Sequence, residues 1–461
     1  SNAEKNERSE ISTNTLLNLS HKYNEYEAYF GVGDSLKVFT QTGINFRTTD
    51  SIQNNTFEKV NTSKTYYLKS NLIQTENSNL NAYINYRTVK NVNFKNEESL
   101  NSKIVYKQQL FNQFLTFNTV YQTLSGTLPQ QDYTYIKTEP GQGFYTWIDY
   151  NENGVKELNE FEIAQFQDKA EYLRIILPTV DYIATHQNKF TQTVAINPQQ
   201  WNSKNGLKKV LSHFYNQTFI LVDSKQKKLD NKFNLNPFNI NNTDLLGLNF
   251  NLNNSFYFNK GKQQFSTTYN FIKSQNKATT TIDNLENTLQ LHQLQFEHKL
   301  GEFWLFNFNV NNSKNISNSL NYSNRNYELK NYTIFPKLSY YYNKNTFFSF
   351  FYEHKNKENQ LGGLETLKLQ KLGISINYAN NLKSLLKTEV NIFNNKFEGL
   401  NNSPVAYQML EGLQPGKNYT WSLLFQRKLN SFLNLNLNYL GRKSETSRTV
   451  HTGTVQLKAI F

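Results

Sequence analysis

Apolar and polar residues alternate with a period of two through most of this 461-residue chain. In the segment 432–440, Leu433, Leu435 and Leu437 alternate with asparagines. The segment 246–252 repeats the pattern. A period of two places successive side chains on opposite faces of a β-strand, whereas an amphipathic helix needs a period near 3.6. We therefore predict a chain of many β-strands, each with one apolar and one polar face.

The lengths of the segments and of their connections favour a membrane barrel over a soluble sandwich. The alternating segments run for about 9–13 residues, which suits a tilted membrane strand of about 9–11 residues. Strands of soluble sheets usually span about 5–6 residues. Connections alternate between tight and long, as in outer-membrane barrels, which have short periplasmic turns and long outer loops. The tight ones are 259–261, 300–301, 343–345, 379–381 and 429–431, and the long ones are 274–286, 312–331, 355–366 and 394–417.

The predicted fold is all-β, a transmembrane antiparallel up-and-down β-barrel of about 18 strands, within a range of about 16–20, with short periplasmic turns and long extracellular loops. The barrel is expected to occupy 36–461. Residues 1–3 look like the remnant of a cleaved tag and are excluded. Residues 4–35 form an N-terminal segment with three interpretations: a plug, extra strands, or the end of a missing upstream domain.

Composition narrows the class of partners. No run of about 18 apolar residues is present, so no transmembrane helix is expected. The formal net charge is +13, but Lys and Arg are scattered, which argues against nucleic acid as a partner. The expected partners are outer-membrane lipid and lipopolysaccharide, whose phosphates the basic residues would face, and further envelope proteins. The absence of Cys agrees with a protein of the cell envelope.

The longest loop, 124–180, carries one sharp motif. From Asp149, oxygen-bearing side chains fall at loop positions 1, 3, 5, 9 and 12, and Gly154 falls at position 6. This is the spacing of an EF-hand Ca²⁺ loop, in which short side chains on alternate residues surround a hard cation and the glycine permits a sharp turn. The predicted ligands are Asp149, Asn151, Asn153, the Val155 carbonyl, Glu157 through water, and Glu160.

The flanks of this loop differ from those of a full EF-hand. The residues before Asp149 look extended, whereas 161–174 has helical spacing. The loop therefore resembles the single Ca²⁺ loops of extracellular proteins, and the ion is expected to have a structural role with an affinity of about 10⁻⁴–10⁻³ M. An acidic, turn-rich loop without metal is the alternative.

No catalytic motif was found. The seven His are scattered, no H-x-x-x-H or G-x-S-x-G pattern occurs, and there is no Cys nucleophile. The chain is therefore expected not to be an enzyme, and no catalytic or organic-cofactor residues are assigned.

The end of the chain resembles the C-terminal signal of bacterial outer-membrane β-barrels. Leu457 and Ala459 alternate with polar residues, and the last residue is the aromatic Phe461. Together with the strand pattern and the segment 414–421, this makes the chain similar to outer-membrane barrels of Bacteroidota-type bacteria. The resemblance implies the fold, a bacterial outer-membrane location and the barrel-insertion machinery as a partner that reads this C-terminal signal, but it implies no substrate.

Three functions remain open at this stage. The first is a subunit of an envelope complex for transport, secretion or assembly, which we favour. The second is a stand-alone porin or uptake channel, because a barrel of this size can enclose an aqueous channel. The third is an outer-membrane enzyme or adhesin.

Overall fold

Long antiparallel strands make up most of the protein. The computed structural model describes residues 1–461 apart from 11–14, 18, 35, 36, 54, 131, 178–180, 230, 231, 241, 242, 262, 263, 281, 381, 382, 460 and 461. Within these residues there are 24 strands, of which twenty belong to a large antiparallel sheet and four to a small one. The fold is thus the nearly all-β, up-and-down architecture predicted from the alternation. The twenty strands of the large sheet are at the upper limit of the predicted range, and the four strands of the small sheet were not predicted.

The first strands are β1 (Asn2–Asn6), β2 (His21–Gly33), β3 (Phe39–Gln53), β4 (Thr56–Gln74), β5 (Ser78–Asn91), β6 (Glu97–Leu110) and β7 (Leu115–Pro129). Four short strands follow: β8 (Tyr133–Lys137), β9 (Tyr145–Trp147), β10 (Phe161–Ile163) and β11 (Tyr172–Ile176). The long strands then resume with β12 (Tyr182–Ile196), the short helix α1 (Leu207–Leu211), β13 (Phe214–Lys227), β14 (Leu245–Phe258), β15 (Phe265–Thr279), β16 (Asn284–Leu300), β17 (Trp304–Ser319) and β18 (Tyr327–Asn343). The last elements are β19 (Thr346–Asn359), β20 (Thr366–Asn380), β21 (Ser384–Glu398), the helix α2 (Pro404–Leu410), β22 (Gly416–Lys428), β23 (Leu433–Ser444) and β24 (Val450–Ala459).

The chain forms two compact units. The first comprises 1–130, 180–200 and 217–251. In it, sequence neighbours pair from β1 to β7, and β7 pairs with β12. A small apolar core forms around Val222, Leu245 and Leu248.

The second unit comprises 131–179, 201–216 and 252–461. In it, each strand from β15 to β24 pairs with the next one along the chain. Strands β8–β11 form the small sheet, in the order β10-β9-β11-β8. The largest apolar core of the second unit lies where the helix α2 packs on side chains of the long strands, and Met409 and Leu367 are both fully buried there.

The two faces of the second unit's strands have opposite character. Ile374 pairs with Val390, and Leu372 pairs with Ile392, and all four side chains remain about half exposed, at 42–52%. Exposed apolar side chains in such rows are typical of a surface that another apolar phase covers.

The opposite face of the same strands is polar. Gly373, Asn391, Thr420 and Arg442 lie opposite one another on successive strands. The Asn391 amide donates to the Thr420 hydroxyl over 3.2 Å, which links two of these strands across the polar face. The strands therefore have the two-sidedness that the alternation predicted.

Several boundaries differ from the sequence-based prediction. The long connections predicted at 274–286 and 312–331 shrink to 280–283 and 320–326, because polar residues continue the strand ladder. The strand predicted from residue 207 begins instead as α1, since Leu207–Leu211 does not alternate and Gly206 before it has a positive φ of 66°.

The segment 161–174 was predicted to be helical, and that prediction is wrong. It forms β10 and β11 with a 3₁₀ turn at Gln167–Lys169 between them. Phe161 pairs with Trp147, and Tyr172 pairs with Tyr145. Aromatic residues favour the pleated surface, so cross-strand pairing overrides the helical spacing.

The two ends of the chain complete the fold. Residues 4–35, unassigned from sequence, contribute to β1 and β2, which pair with each other. At the other end, Leu457 and Ala459 lie on β24, and Phe461 lies outside the described residues. In the described part of the chain, no helix is both long and apolar enough to cross a bilayer.

Candidate functional site

The four short strands and the segments between them, residues 132–177, fold into what we call the loop domain. Its cohesion comes from aromatic packing: Phe161 is 4% exposed, stacks on Tyr135 at 4.1 Å and meets Tyr172 edge-on at 5.0 Å. Gly143 lets two chain segments approach, because a Cβ there would lie only 2.4 Å from the backbone nitrogen of Tyr172. Although every element of it is short, the loop domain is therefore a folded module.

An ion pair holds one end of the loop domain on the polar face of the strands. The Arg442 guanidinium on β23 donates both to Oδ1 of Asp168 and, at 2.6 Å, to Oδ2. It also lies 4.3 Å from the ring centre of Phe166. Burial alone would raise the pKa of Asp168, but the guanidinium outweighs it and holds that pKa below its usual value. A two-pronged pair of this kind fixes direction as well as distance.

A second arginine holds the other side of the loop domain. Arg325 Nη2 donates to Glu162 Oε2 at 2.8 Å, and Nη1 donates to the carbonyls of Asn159 and Phe161 at 3.2 Å each. Glu162 is only 2% exposed, and burial raises its pKa despite Arg325. A buried carboxylate of this kind would be strongly destabilising without its partner.

The helix α2 adds a third set of contacts. The Tyr407 hydroxyl donates to the Ile163 carbonyl at 3.0 Å and accepts from the backbone N–H of Gln165 at 3.2 Å. After α2, Glu411 pairs with Lys355 at 3.1 Å and Lys357 at 2.8 Å. Although burial would raise the pKa of Glu411, the two lysines lower it to about 2. The loop domain thus rests on residues from three separate parts of the second unit.

Beneath the loop domain is a cavity of about 370 Å³. Charged side chains of both signs line it, together with aromatic rings; they include Asp168, Glu353, Lys371, Phe393, Glu411 and Arg442. Lys371 lies directly opposite Glu353 in the strand register. The polar face under the loop domain therefore encloses space that suits water and small polar solutes.

The predicted Ca²⁺ loop connects β9 to β10. Asp149 accepts hydrogen bonds from the amides of Asn153 at 3.1 Å and Gly154 at 2.8 Å, and Asn153 Oδ1 accepts from the Val155 amide at 2.6 Å. Gly154 has φ of 71°, which the sharp turn at position 6 requires. The side-chain oxygens of Asp149 and Asn153 are thus held against the backbone N–H groups of their own loop.

The remaining predicted ligands form contacts within the same loop. Asn151 donates to Glu157 at 3.0 Å. Glu160 is 1% exposed and accepts from the Trp147 indole at 2.8 Å. Among the described residues, no group of three or more His, Cys, Asp or Glu side chains converges on a metal position. The loop offers oxygens of carboxylate, side-chain amide and backbone carbonyl groups.

Sequence reasoning missed the contacts that anchor the loop domain. Arg325, Arg442, Glu162, Asp168 and Tyr407 belong to no linear motif. One signal was present: the chain has only eight arginines among its 49 basic residues. Arginine is the residue suited to fixed, two-pronged carboxylate pairs, so its sparing use marks candidate anchors.

Comparisons with solved structures give matches of low similarity. One match is OmpT, an outer membrane protein of Vibrio cholerae. The match covers 81% of this chain and 87% of the OmpT chain, with 9% sequence identity and a TM-score of 0.29. Another match is the outer membrane transporter YddB from Escherichia coli. That match covers 96% of this chain and 75% of the YddB chain, with 9% sequence identity and a TM-score of 0.31. No family model and no curated protein sequence matches the chain.

One expectation requires correction. The chain was expected not to be an enzyme, because no linear catalytic motif is present. The absence of a linear motif does not decide the question, because the fold brings together residues far apart in the sequence, as it does Arg442 and Asp168. The expectation is withdrawn.

Proposed function

We propose that this protein is a bacterial outer-membrane β-barrel that transports solutes, and that its loop domain lies in the barrel interior and restricts passage. The strand faces support the membrane part of the proposal. Exposed apolar residues such as Ile374 and Val390 would face lipid, and the polar face with Arg442 would face the interior. This division between the faces is the one that transmembrane barrels show.

The observation that carries the transport role is the anchoring of the loop domain on the polar face. Arg442 holds it on the polar face of β23, and Arg325, in the connection between β17 and β18, holds it at a second point. A folded module tied to the polar face would narrow an aqueous path, while the charged cavity beneath it keeps space for solutes. Charged side chains in such a path set ion selectivity.

The test is single-channel conductance in planar bilayers. The double variant Arg325→Gln, Arg442→Gln should conduct more than the wild type, because the loop domain is released. Arg427→Gln is the matched control, since Arg427 is exposed and outside both anchors. Equal conductance of the double variant and the wild type would contradict a restricting role.

Ca²⁺ binding is a second part of the proposal. Asp149, Asn151, Asn153, the Val155 carbonyl and Glu160 would hold the ion, with Glu157 acting through water. The bond from the Gly154 backbone N–H to the Asp149 carboxylate and the positive φ of Gly154 support this assignment. The ion would stiffen the loop. Asn402 donates to the Asp149 carbonyl at 3.1 Å, so the loop is also connected to the segment before α2.

Two finer predictions extend this proposal. The favoured role as a subunit of an envelope transport, secretion or assembly complex would show as stoichiometric partners after mild-detergent purification from the native membrane. The resemblance to outer-membrane barrels of Bacteroidota-type bacteria predicts that this native membrane is the outer membrane of such a bacterium. A barrel purified without partners would favour the stand-alone channel.

A further inference from the structure

A second cavity, of about 320 Å³, lies in the second unit between the loop domain and the ends of β16 and β17. Its two walls differ in chemistry. The loop-domain wall is mainly aromatic, and the strand wall is mainly polar, although Leu285 and Tyr327 also line it. Cavities of this size with one apolar wall and a few fixed polar groups are typical of small-molecule sites.

The aromatic wall is built by strand alternation in the small sheet. Tyr133 and Tyr135 are two positions apart on β8 and therefore share a face. Tyr135 meets Tyr145 at 5.0 Å and stacks on the buried Phe161. Burial raises the pKa of Tyr135 to about 12, so its hydroxyl stays protonated. The rings are held by their neighbours and offer a preformed surface.

Arg174 lies at the centre of this wall. It is directly opposite Tyr135 in the strand register. Its guanidinium lies 5.1 Å from the ring centre of Tyr133 and 5.7 Å from that of Tyr145. Arg325 in the same cavity is paired with Glu162, whereas no carboxylate in the described part of the chain forms an ion pair with Arg174. The donors of Arg174 are therefore available to a ligand.

The polar wall faces these rings. Asn287 of β16 and Ser317 of β17 are directly opposite each other in the register. Asp283 is fixed by the Ser319 hydroxyl at 2.6 Å and the Asn321 amide at 3.0 Å. This wall offers amide, hydroxyl and carboxylate groups to a ligand in fixed positions.

We propose that this cavity binds a saccharide unit. A sugar ring has an apolar C–H face and a rim of hydroxyl groups. The C–H face would pack on the ring of Tyr133, beside which Tyr135 stands edge-on with 5.8 Å between the ring centres. The hydroxyls would bond to Arg174 and to the polar wall. The inference rests on the proposed transport function only for its biological role, where it specifies the class of solute.

The experiment is a screen of the purified full-length chain in detergent on an array of neutral and acidic oligosaccharides, followed by calorimetry with the strongest hit. The wild type should bind at least one oligosaccharide. Tyr133→Ala and Arg174→Gln should each lower affinity about tenfold, which corresponds to about 1.4 kcal/mol. Tyr133→Phe, which keeps the ring, should retain most of the affinity.

The matched controls lie in the same unit and outside the cavity. Tyr342→Ala, at a side chain that is 69% exposed, and Arg427→Gln should bind as the wild type does. Heat-modifiable gel migration reports folding for every variant. Absence of binding to the whole array overturns the proposal, as does unchanged affinity in both cavity variants. Conductance of the same preparation is measured separately, so failure of the saccharide assignment is distinct from failure of the transport role.

Discussion

Arg442 of β23 and Asp168 of the loop domain, 274 positions apart in the sequence, form a two-pronged ion pair on the polar strand face. The pair joins the loop domain to a strand whose neighbours carry Thr420 and Asn391 on the same face. It is one of three sets of contacts that hold the loop domain, beside those of Arg325 and Tyr407.

Acid should release the loop domain. The pKa of Asp168 is below its usual value in the folded protein, so its pairing stabilises the docked state above the unfolded pKa. That stability is lost as the pH falls through the lowered folded pKa. We expect 132–177 to become progressively more protease-sensitive as the pH is lowered below about 3.9, the ordinary pKa of an aspartate. Asp168→Asn should be sensitive at neutral pH and show a smaller change; an identical pH profile would contradict the prediction.

Replacing Arg442 by lysine should only partly preserve docking. Lysine keeps the charge but cannot form two parallel bonds to Asp168. We expect Arg442→Lys to cost about 1–2 kcal/mol of docking stability and Arg442→Gln somewhat more, in line with hydrogen bonds to charged groups. Limited proteolysis of the loop domain at increasing denaturant concentration measures this order, with Arg427→Lys as the control. Equal behaviour of Lys and wild type would show that charge alone suffices.

Adjacent positions on β20 should respond oppositely to a charge. Ile374 is 52% exposed on the apolar face, and Ser375 lies on the opposite face. A lysine facing lipid costs about 2–4 kcal/mol near the bilayer midplane, while a lysine facing water costs little. We expect Ile374→Lys to reduce membrane assembly and Ser375→Lys to preserve it, judged by heat-modifiable migration of membrane fractions. The reverse order would exclude the assigned lipid face.

The packing of α2 should depend on one methionine. Met409 is fully buried among Leu367, Leu369 and neighbouring apolar residues. Truncating a buried Met to Ala typically costs about 2–5 kcal/mol through lost contacts and a cavity. Met409→Ala should therefore lower the midpoint of thermal unfolding and expose 399–415 to protease. Leu400→Ala, at a side chain that is 68% exposed, should have little effect on either measurement.

Calcium should protect the loop domain through Glu160. This residue accepts from the Trp147 indole, so Ca²⁺ binding should alter tryptophan fluorescence as well as proteolysis. Glu160→Gln should weaken both responses, because a neutral amide is a poorer ligand for a hard cation. Glu152→Gln is the matched control, since Glu152 is in the same loop at a position that supplies no ligand. A wild type that responds to neither Ca²⁺ nor chelator would remove the metal assignment.

Local patterns predicted most of the fold. The alternation of Leu433, Leu435 and Leu437 with asparagines predicted a two-faced strand, and the structure forms β23 there. The turn at Gly154 was likewise readable, because a glycine at that loop position needs a positive φ. Boundaries were less accurate, since polar strand ends such as 312–319 have the composition of a loop and are ordered only by their neighbours.

The sequence by itself determined the class of structure, because a period of two is a local property that every strand satisfies on its own. Tertiary structure alone decided what the polar face holds. The pairs Arg442–Asp168 and Arg325–Glu162 join residues that no spacing relates, and the wall of Tyr133, Tyr135 and Arg174 forms only when β8 and β11 pair. The physical reason is that strand pairing brings distant segments within a few ångströms, and the chemistry of the site depends on those distances.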